Sequence, residues 1–298
     1  MDEPQTIQHE HKKHWYDRTY KFQLIISLVL ILGTIIYLFN FYSQNGDLIY
    51  KDVSLKGGTT MTVFIPQDIS KIEQELKAEF PDILIRKISD LRTGAQVGFI
   101  VESSSEPAPL KQKIESLINV SLTSDNSSTE FTGSALSSSF YQQLRMAIIV
   151  AFIGMGIVVF LIFRTPIPSL AVIAAAFADI IMTVAVLDIA EIKLSVAGIV
   201  ALLMLIGYSV DTDILLTSRV LKGRESINQR ISGAFKTGMT MTLTVLVAVA
   251  ISLIFTYNSS ETLRQMFTII LIGLGFDIFN TWVTNASILK WYAERKKL

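Results

Sequence analysis

The sequence contains no cysteine, and only 17% of its 298 residues are charged. The absence of cysteine excludes a disulfide scaffold, a catalytic thiol and a cysteine-ligated metal. Soluble domains usually carry about 25% charged residues, whereas 50% of this chain is hydrophobic. Lys and Arg together number 26, as do Asp and Glu, so no net charge draws the chain to nucleic acid. The composition therefore argues against a soluble enzyme and against a nucleic-acid partner.

The hydrophobic residues are concentrated in six stretches, each suited to a membrane helix. A helix needs roughly 20 mostly apolar residues to cross the hydrocarbon core of a bilayer. The first stretch is too long for a signal-peptide core and no small-residue cleavage site follows it, so we expect it to be retained. The predicted spans are residues 22–42, 146–163, 168–187, 194–216, 236–257 and 266–289. The other predicted parts are the tails 1–21 and 291–298, a segment at 43–143, and a five-helix bundle over 144–290.

The distribution of Lys and Arg between the loops predicts how the chain is oriented. Basic residues cluster in the N-terminal tail, in the 219–236 segment and at the C-terminus, whereas the short loops on the other side offer only Lys193 and Arg264. Because basic loops stay in the cytoplasm, we expect both termini inside and residues 43–143 outside. The predicted location is the cell membrane, with several spans surrounded by lipid.

The segment between the first two spans has the sequence pattern of a separate α+β domain. Short β-branched and apolar runs alternate with two amphipathic helix patterns in the order β-α-β-β-α-β. These elements are predicted at residues 59–65, 68–80, 83–88, 96–101, 107–119 and 127–131. This order is typical of the ferredoxin-like fold. The predicted fold class is therefore a polytopic α-helical membrane protein with six transmembrane helices and a ferredoxin-like extracytoplasmic domain between helices 1 and 2.

Four aspartates lie within the predicted spans, where a charge costs at least ~2.5 kcal/mol on insertion scales. Asp179 is near the middle of the third span and Asp277 near the middle of the sixth. Asp211 and Asp213 lie toward the cytoplasmic end of the fourth span. Since successive helical residues turn by ~100°, this pair points to nearly opposite sides of the helix. At most one of the two is expected to face a shared interior site.

Polar residues also follow helical spacing on the fifth and sixth spans. They are Lys236, Thr240 and Thr244 on the fifth, and Asp277, Asn280, Thr281 and Thr284 on the sixth. If those faces meet, the bundle has a polar seam suited to protons or ordered water. The alternatives are that the hydroxyl groups only hold membrane helices together, and that Lys236 is an anchor at the membrane interface.

Four short motifs stand out in and near the spans. They are Gly207-Tyr-Ser-Val-Asp-Thr-Asp-Ile-Leu-Leu-Thr-Ser-Arg219, Asp52-Val-Ser-Leu-Lys-Gly-Gly-Thr59, Lys236-Thr237 followed by Thr240 and Thr242, and Ala178-Asp179. Together with the six spans and the large first outer loop, they resemble the SecF family, whose members pair with SecD in the accessory complex of the protein-export channel. The resemblance places the family's signature positions at Gly207, Tyr208, Ser209, Thr212, Arg219, Thr237, Asp52, Gly57 and Gly58.

The resemblance implies a non-enzymatic subunit of the resistance-nodulation-division type, with no cofactor. Its implied partners are a SecD-like subunit, the Sec translocon channel and unfolded translocating polypeptides, with the proton gradient as the energy source. The family's second acidic signature residue falls on Thr212 and its Arg on Lys236, departures that are similar to the archaeal form. The candidates for a proton relay are Asp179, Asp211, Asp213, Lys236 and Asp277. Because a proton-carrying aspartate of the family lies in SecD, this chain is expected to hold only part of the path.

Two other functions are compatible with the sequence. One is a half-size, proton-driven exporter of small molecules, which would need a partner or a second copy. The other is a receptor or structural membrane protein in which the aspartates are merely buried. An enzyme is not expected, and neither is a metal site. His9, His11 and His14 lie in a polar tail and favour a solvated segment over a metal site.

Overall fold

The computed structural model describes residues 15–90, 93–257 and 261–296. The cluster of His9, His11 and His14 lies outside the described residues. In chain order the elements are α1 (Trp15–Asn45), α2 (Val53–Lys56), β1 (Gly58–Val63), α3 (Ile69–Glu79), β2 (Leu84–Ser89), β3 (Gln96–Ser103), α4 (Pro107–Ile118), β4 (Ser127–Thr132), α5 (Ser134–Phe163), α6 (Pro166–Ile189), α7 (Val196–Lys222), α8 (Ile227–Thr256), α9 (Glu261–Phe279), a π-helical turn (Asn280–Asn285) and α10 (Ala286–Lys296).

Six helices in the described part of the chain are long and apolar enough to cross a bilayer. They are α1, α5, α6, α7, α8 and a last helix in which α9, the π-helical turn and α10 are continuous. The prediction of a six-span membrane protein with a small sheet domain between the first two spans is confirmed.

Several membrane helices extend beyond the apolar stretches that predicted them. For example, α5 begins at Ser134 rather than near residue 146, and α8 begins at Ile227 rather than near residue 236. Hydropathy detects only the apolar part of a helix that contacts lipid. The helix itself continues beyond that part until the unpaired backbone N–H or C=O groups at its end are capped. For α8 the cap is a reciprocal pair of hydrogen bonds between Ser226 and Gln229.

The centre of the bundle is formed by α6, α7 and the last helix. Much of α6 and α7 is buried, whereas α1, α5 and α8 leave most of their apolar surface exposed. Within the bundle α7 packs against α6, α8 and α9. Small residues permit the close contacts: a Cβ added at Gly238 of α8 would lie 2.6 Å from the ring of Trp282. Polar side chains on the central helices are therefore held together away from lipid.

The residues between α1 and α5 form a four-stranded sheet with two helices on one face. The strand order is β2-β3-β1-β4, and each neighbouring pair is antiparallel. Met61, Val63, Phe99 and Val101 point toward α3 and α4 and are fully buried, as expected from the alternation of side chains along a strand. With β1-α3-β2-β3-α4-β4 in sequence, this is the predicted ferredoxin-like arrangement.

Gly57 and Gly58 bring the chain into close contact with its neighbours at the start of β1. Their φ angles are +89° and +140°, in the region that favours glycine. A Cβ at Gly57 would lie 2.5 Å from the Cα of Ser134, and a Cβ at Gly58 would lie 2.8 Å from the Cα of Ser104. The glycine pair of the second motif is therefore required by backbone packing around the base of the outer domain.

Three hydrogen bonds join the base of the outer domain to the loop between α6 and α7. The Leu194 N–H donates to the Tyr50 carbonyl (2.6 Å), and the Asp52 N–H donates to the Leu194 carbonyl (3.0 Å). The Val196 N–H donates to Ser54 Oγ at 3.1 Å. Because Val196 is the first residue of α7, the outer domain is tied directly to a helix of the bundle core.

Candidate functional site: three buried aspartates

Three of the four predicted membrane aspartates meet in the centre of the bundle. Asp179 lies on α6, Asp213 on α7 and Asp277 on α9, and each is at most 1% exposed. The Asp213 carboxyl interacts electrostatically with both others, and Asp179 interacts with Asp277. We call Asp179, Asp213 and Asp277 the aspartate triad.

Asp179 links the three central helices. Ser209 Oγ of α7 donates to its Oδ2 at 2.5 Å, and Asn280 Nδ2 of the π-helical turn donates to its Oδ1 at 2.8 Å. Both oxygens of the carboxyl group are thus occupied by donors from two other helices. A rearrangement of any one of the three helices would change this set of contacts.

Asp277 receives weaker, longer hydrogen bonds. Thr212 Oγ1 donates to its Oδ2 at 3.4 Å, and Thr281 Oγ1 donates to its Oδ1 at 3.2 Å. Buried Thr242 of α8 also interacts with this carboxyl group. Hydroxyl groups can rotate to donate or accept, so these partners suit either protonation state of Asp277.

Asp213 is held by one short hydrogen bond, and Thr281 also interacts with its carboxyl group. Asn285 Nδ2 donates to its Oδ1 at 2.7 Å. Within the described part of the chain, Asp213 Oδ2 and Asn285 Oδ1 are buried and make no hydrogen bond. Buried oxygen atoms without donors are costly, and a proton on Asp213 would lower this cost because it removes the charge of the carboxyl group.

In the part of the chain that the structure describes, the triad has hydroxyl and amide partners and no cation. Among the described residues, no Lys or Arg side chain hydrogen-bonds to, or forms an ion pair with, any of the three carboxyl groups. Three ionised carboxylates buried together without a cation would cost far more than they gain. The arrangement is therefore suited to binding and releasing protons.

The π-helical turn supplies the amide partners of the triad. It spans Asn280–Asn285 and carries Asn280, which contacts Asp179, and Asn285, which contacts Asp213. Thr284 in the same turn donates to Asn280 Oδ1 at 3.1 Å and contacts Ser27 of α1. Single π-helical turns within α-helices often occur at functional sites. Asn285 is not among the predicted site residues, although it lies four residues after Thr281 and eight after Asp277, so helical spacing could have found it. Ser27 is a single hydroxyl residue in an apolar part of α1, and no sequence signal singles it out.

Asp211 and Lys236 lie away from the triad. Asp211 is exposed, on the side of α7 opposite to buried Asp213, as their spacing predicts. Lys236 is also exposed, and no carboxylate forms an ion pair with it among the residues that the structure describes. The predicted contact between Lys236 and Asp211 or Asp213 is not formed. The roles of Asp211 and Lys236 in a relay stay predictions.

The face of α8 that meets the last helix differs from the predicted stripe. Thr240 and Thr244 are exposed, and each donates to the carbonyl four residues earlier. Gly238 and Thr242 face the core instead. The reason is packing: only a glycine lets α8 approach Trp282 closely enough, and this contact sets the rotation of the helix.

The remaining signature residues fall in two places. Arg219 Nη2 donates to Thr237 Oγ1 at 2.9 Å, which joins α7 to α8 at one end of the bundle. Gly207 and Tyr208 lie on an exposed face of α7. A crevice of about 50 Å³ between Tyr208 and Thr242 lies beside that face.

Asp52 of the second motif belongs to the joint below the outer domain. Its Oδ1 accepts hydrogen bonds from Ser54 N at 2.9 Å and from Ser54 Oγ at 2.6 Å, and so caps the short helix α2. Burial raises the pKa of Asp52, and its hydrogen bonds from Ser54 and the charge of Arg86 oppose that shift. Asp52 therefore has a structural role, because it caps α2 in the joint between the outer domain and the bundle.

The comparisons with known proteins identify the family. Residues 112–295 match the family model described as protein export membrane protein SecD/SecF, C-terminal. The chain is 37% identical over 283 residues to the protein-export membrane protein SecF of Methanocaldococcus jannaschii, covering 92% of this chain and 96% of that protein. The chain belongs to the SecF family. A second SecF, from Methanolacinia petrolearia, is 35% identical over 90% of this chain and 91% of its own length.

Solved SecDF structures have the same fold. The crystal structure of SecDF from Thermus thermophilus, a translocon-associated membrane protein, matches with a TM-score of 0.70 and 16% identity over 95% of this chain. SecDF in its super-membrane-facing form matches with a TM-score of 0.61 and 19% identity over 94% of this chain. The chain spans 39% of the length of each of these SecDF chains. Membership of the SecF family makes this a multi-pass membrane protein.

Proposed function

We propose that the chain is a SecF-like subunit that assists the export of unfolded polypeptides through the Sec channel, together with a SecD-like subunit. Family membership supports the role in protein export. The chain has no enzymatic role in this proposal and uses no cofactor. The membrane lipid surrounds the exposed apolar surface of α1, α5 and α8.

The SecD-like partner is supported by the match to SecDF and by one exposed face of α7. The chain spans 39% of a SecDF chain, and we assign the second half of the membrane region to the partner. Gly207, Tyr208 and Asp211 lie on the exposed face of α7. The crevice beside them is also lined by Thr212 and Thr242, which contact Asp277 in the triad. A partner helix on this face would cover the approach to Asp277.

A single observation supports coupling to the proton gradient. Three aspartates are buried together, and no cation lies beside them in the described part of the chain. A proton arriving at the triad changes its charge and therefore its contacts with Ser209 and Asn280. These contacts hold α6, α7 and the last helix together. Protonation is thereby linked to the relative positions of the three central helices.

A shift between the central helices can be transmitted to the outer domain through hydrogen bonds. α7 carries Ser209 in its middle and Val196 at its start, where the outer domain is bonded through Ser54. Gln265 of α9 accepts a hydrogen bond from Ser195 and donates to the Lys193 carbonyl at 2.5 Å. The loop before α7 is thus bonded to the outer domain and to α9, so a shift between helices reaches the outer domain.

For the orientation, we propose cytoplasmic termini and an extracytoplasmic domain at residues 43–143. This follows from the excess of Lys and Arg in the tails and in the 219–236 segment. It puts the triad between the two aqueous phases. It also puts the outer domain where an emerging polypeptide can reach it.

The function is tested by export and by co-purification. In cells lacking the chain, we expect a secretory precursor to accumulate, and reintroducing the chain should restore its export. The tagged chain, extracted in mild detergent, should carry a SecD-like subunit with it. Normal export together with no such partner would contradict the proposal. If small-molecule efflux were lost instead, the half-size exporter would be favoured.

The orientation is tested by adding protease to intact cells without their wall. We expect cleavage in the outer domain and protection of tags at both termini. A variant with a protease site introduced in the exposed turn at residues 93–95, between β2 and β3, provides a positive control for access. Loss of the N-terminal tag before lysis would reverse the assignment.

A further inference from the structure

Four sequences in the chain match Asn-X-Ser, the acceptor motif for N-linked glycosylation in which X is any residue except proline. They begin at Asn119, Asn126, Asn258 and Asn285. Asn258 lies outside the described residues. The motif is short and says little by itself, but the structure distinguishes between the other three asparagines.

Two of these asparagines have an amide group that is already committed to the fold. Asn285 is completely buried in the last helix, where its Nδ2 donates to Asp213. Asn126 Nδ2 donates to the Ser121 carbonyl at 3.0 Å, and its Oδ1 accepts a hydrogen bond from Thr123 N at 2.8 Å. Because Nδ2 is the atom that carries the sugar after glycosylation, neither side chain has its acceptor atom free.

Asn119 differs from both because its side chain is exposed and free. It follows the last residue of α4 with a φ of +54°, in the left-handed region that asparagine adopts more readily than most residues. Its side chain forms no hydrogen bond with any residue that the structure describes. The amide group that accepts the sugar is therefore accessible at the end of the helix.

The whole motif lies in a short exposed arch, formed by residues 119–121. Both ends of the arch are anchored, since Ile118 before it and Leu122 after it are buried in the core of the outer domain. Leu122 N also donates to Glu115 Oε1 at 2.7 Å. The motif requires a hydroxyl group two residues after the asparagine, and Ser121 presents it in the same arch.

The arch lies at the end of the outer domain that is remote from its joint with the bundle. β4 begins at Ser127, which pairs with Val63 at the end of β1. It ends at Thr132, which pairs with Gly58 beside the joint. The segment 119–126 enters β4 at its beginning and is therefore separated from the joint by the length of the strand.

The helix layer that carries the arch also faces away from the bundle. α3 and α4 cover one face of the sheet, where Leu76 and Leu110 belong to the core. The opposite face meets the bundle, since Ile88 and Ile100 of the sheet line one cleft together with Gln265 of α9. A glycan is bulky and needs a surface position, and the end of α4 provides one that contacts neither the bundle nor the exposed face of α7.

We propose that Asn119 is modified with an N-linked oligosaccharide on the outer side of the membrane. The donor is a lipid-linked oligosaccharide phosphate, and the catalyst is a membrane transferase. A bond forms between Asn119 Nδ2 and C1 of the first sugar, while the bond between C1 and the phosphate oxygen breaks. The lipid phosphate leaves, and one proton of Nδ2 passes to a base of the transferase. The inference goes beyond the function in export and rests on the proposed outer location of residues 43–143.

The test is mass spectrometry of the full chain, isolated from the membranes of the cells that naturally produce it. Trypsin cuts after Lys113 and Arg145, so residues 114–145 are released as one peptide that contains both Asn119 and Asn126. Fragmentation that leaves sugars attached assigns the modified residue. We expect one glycan on Asn119 in most copies of this peptide, and an unmodified Asn126.

Variants made in the same cells show whether the motif is what the transferase recognises. Ser121→Ala retains the asparagine without the hydroxyl group, so the glycan should be lost, whereas Ser121→Thr should keep it. Asn126→Gln is the matched control and should leave the glycan on Asn119 unchanged. An unmodified peptide, a glycan on Asn126 instead, or a glycan that persists in Ser121→Ala would overturn the inference. The export and protease experiments test the proposed function and orientation separately, so each can stand if Asn119 is unmodified.

Discussion

Asp179→Asn is expected to lower the rate of export by about a hundredfold or more, the lower end of the effect that loss of a proton-transfer group has. Insertion and partner binding should be unchanged. The amide can accept a hydrogen bond from Asn280 and donate one to Ser209, so the contacts of Asp179 survive. What is lost is the ability to gain and lose a proton. The measurement is the export of a secretory precursor at matched levels of the chain.

Glu225→Gln is the matched control for Asp179→Asn. It also removes a carboxylate, but at an exposed position in the loop between α7 and α8, outside the triad and outside the proposed partner face, so export should continue at the normal rate. Lys236→Ala in the same assay tests the predicted relay role of Lys236. Normal export in Asp179→Asn would contradict proton coupling through the triad. Normal export in Lys236→Ala would leave Lys236 as an interface anchor.

Gly58→Ala is expected to unfold the outer domain. The φ angle of +140° costs about 1–3 kcal/mol for a residue with a side chain. The added Cβ would also lie 2.8 Å from the Cα of Ser104 and closer still to the Ser103 carbonyl, so the backbone of β3 must move. Domains are stable by only about 5–15 kcal/mol. Limited proteolysis of the full chain in detergent should show faster cleavage within residues 43–143.

Gly94→Ala separates the effect of backbone strain from the effect of the steric clash. Gly94 also has a positive φ, +69°, but nothing lies within 4 Å of an added Cβ. It therefore carries the backbone strain, about 1–2 kcal/mol in the left-handed region, without the steric clash. We expect a much smaller increase in cleavage than for Gly58→Ala. Equal cleavage rates of the two variants would contradict the close-packing explanation of the glycine pair.

The strands and helices of the outer domain could be predicted because their signals are local. The alternation that buries Met61 and Val63 is visible in the sequence, and so is the helical spacing of Ile72 and Leu76 in α3. Pro81, after that helix, prevents its continuation. The order of the strands in the sheet could be predicted only because the order of elements along the chain is typical of the ferredoxin-like fold. Local signals do not give strand order, since most strands that pair are distant in sequence.

The site was partly predictable. Asp179, Asp213 and Asp277 stand out because charged residues are rare within membrane spans. Their meeting could not be predicted, because helical spacing gives the face of each helix but not which faces touch. The stripe of Thr240 and Thr244 shows this limit, since the face of α8 that meets the last helix carries other residues.

The sequence by itself determined the number of spans, the outer domain, its glycine pair and the opposite directions of Asp211 and Asp213. Each of these depends on composition or on spacing within one element. Only the tertiary structure decided that Asp213 joins the triad, that Asn285 binds it from a π-helical turn, and that Lys236 stays outside. The reason is physical: these outcomes depend on helix rotation, which close packing fixes at contacts such as that between Gly238 and Trp282.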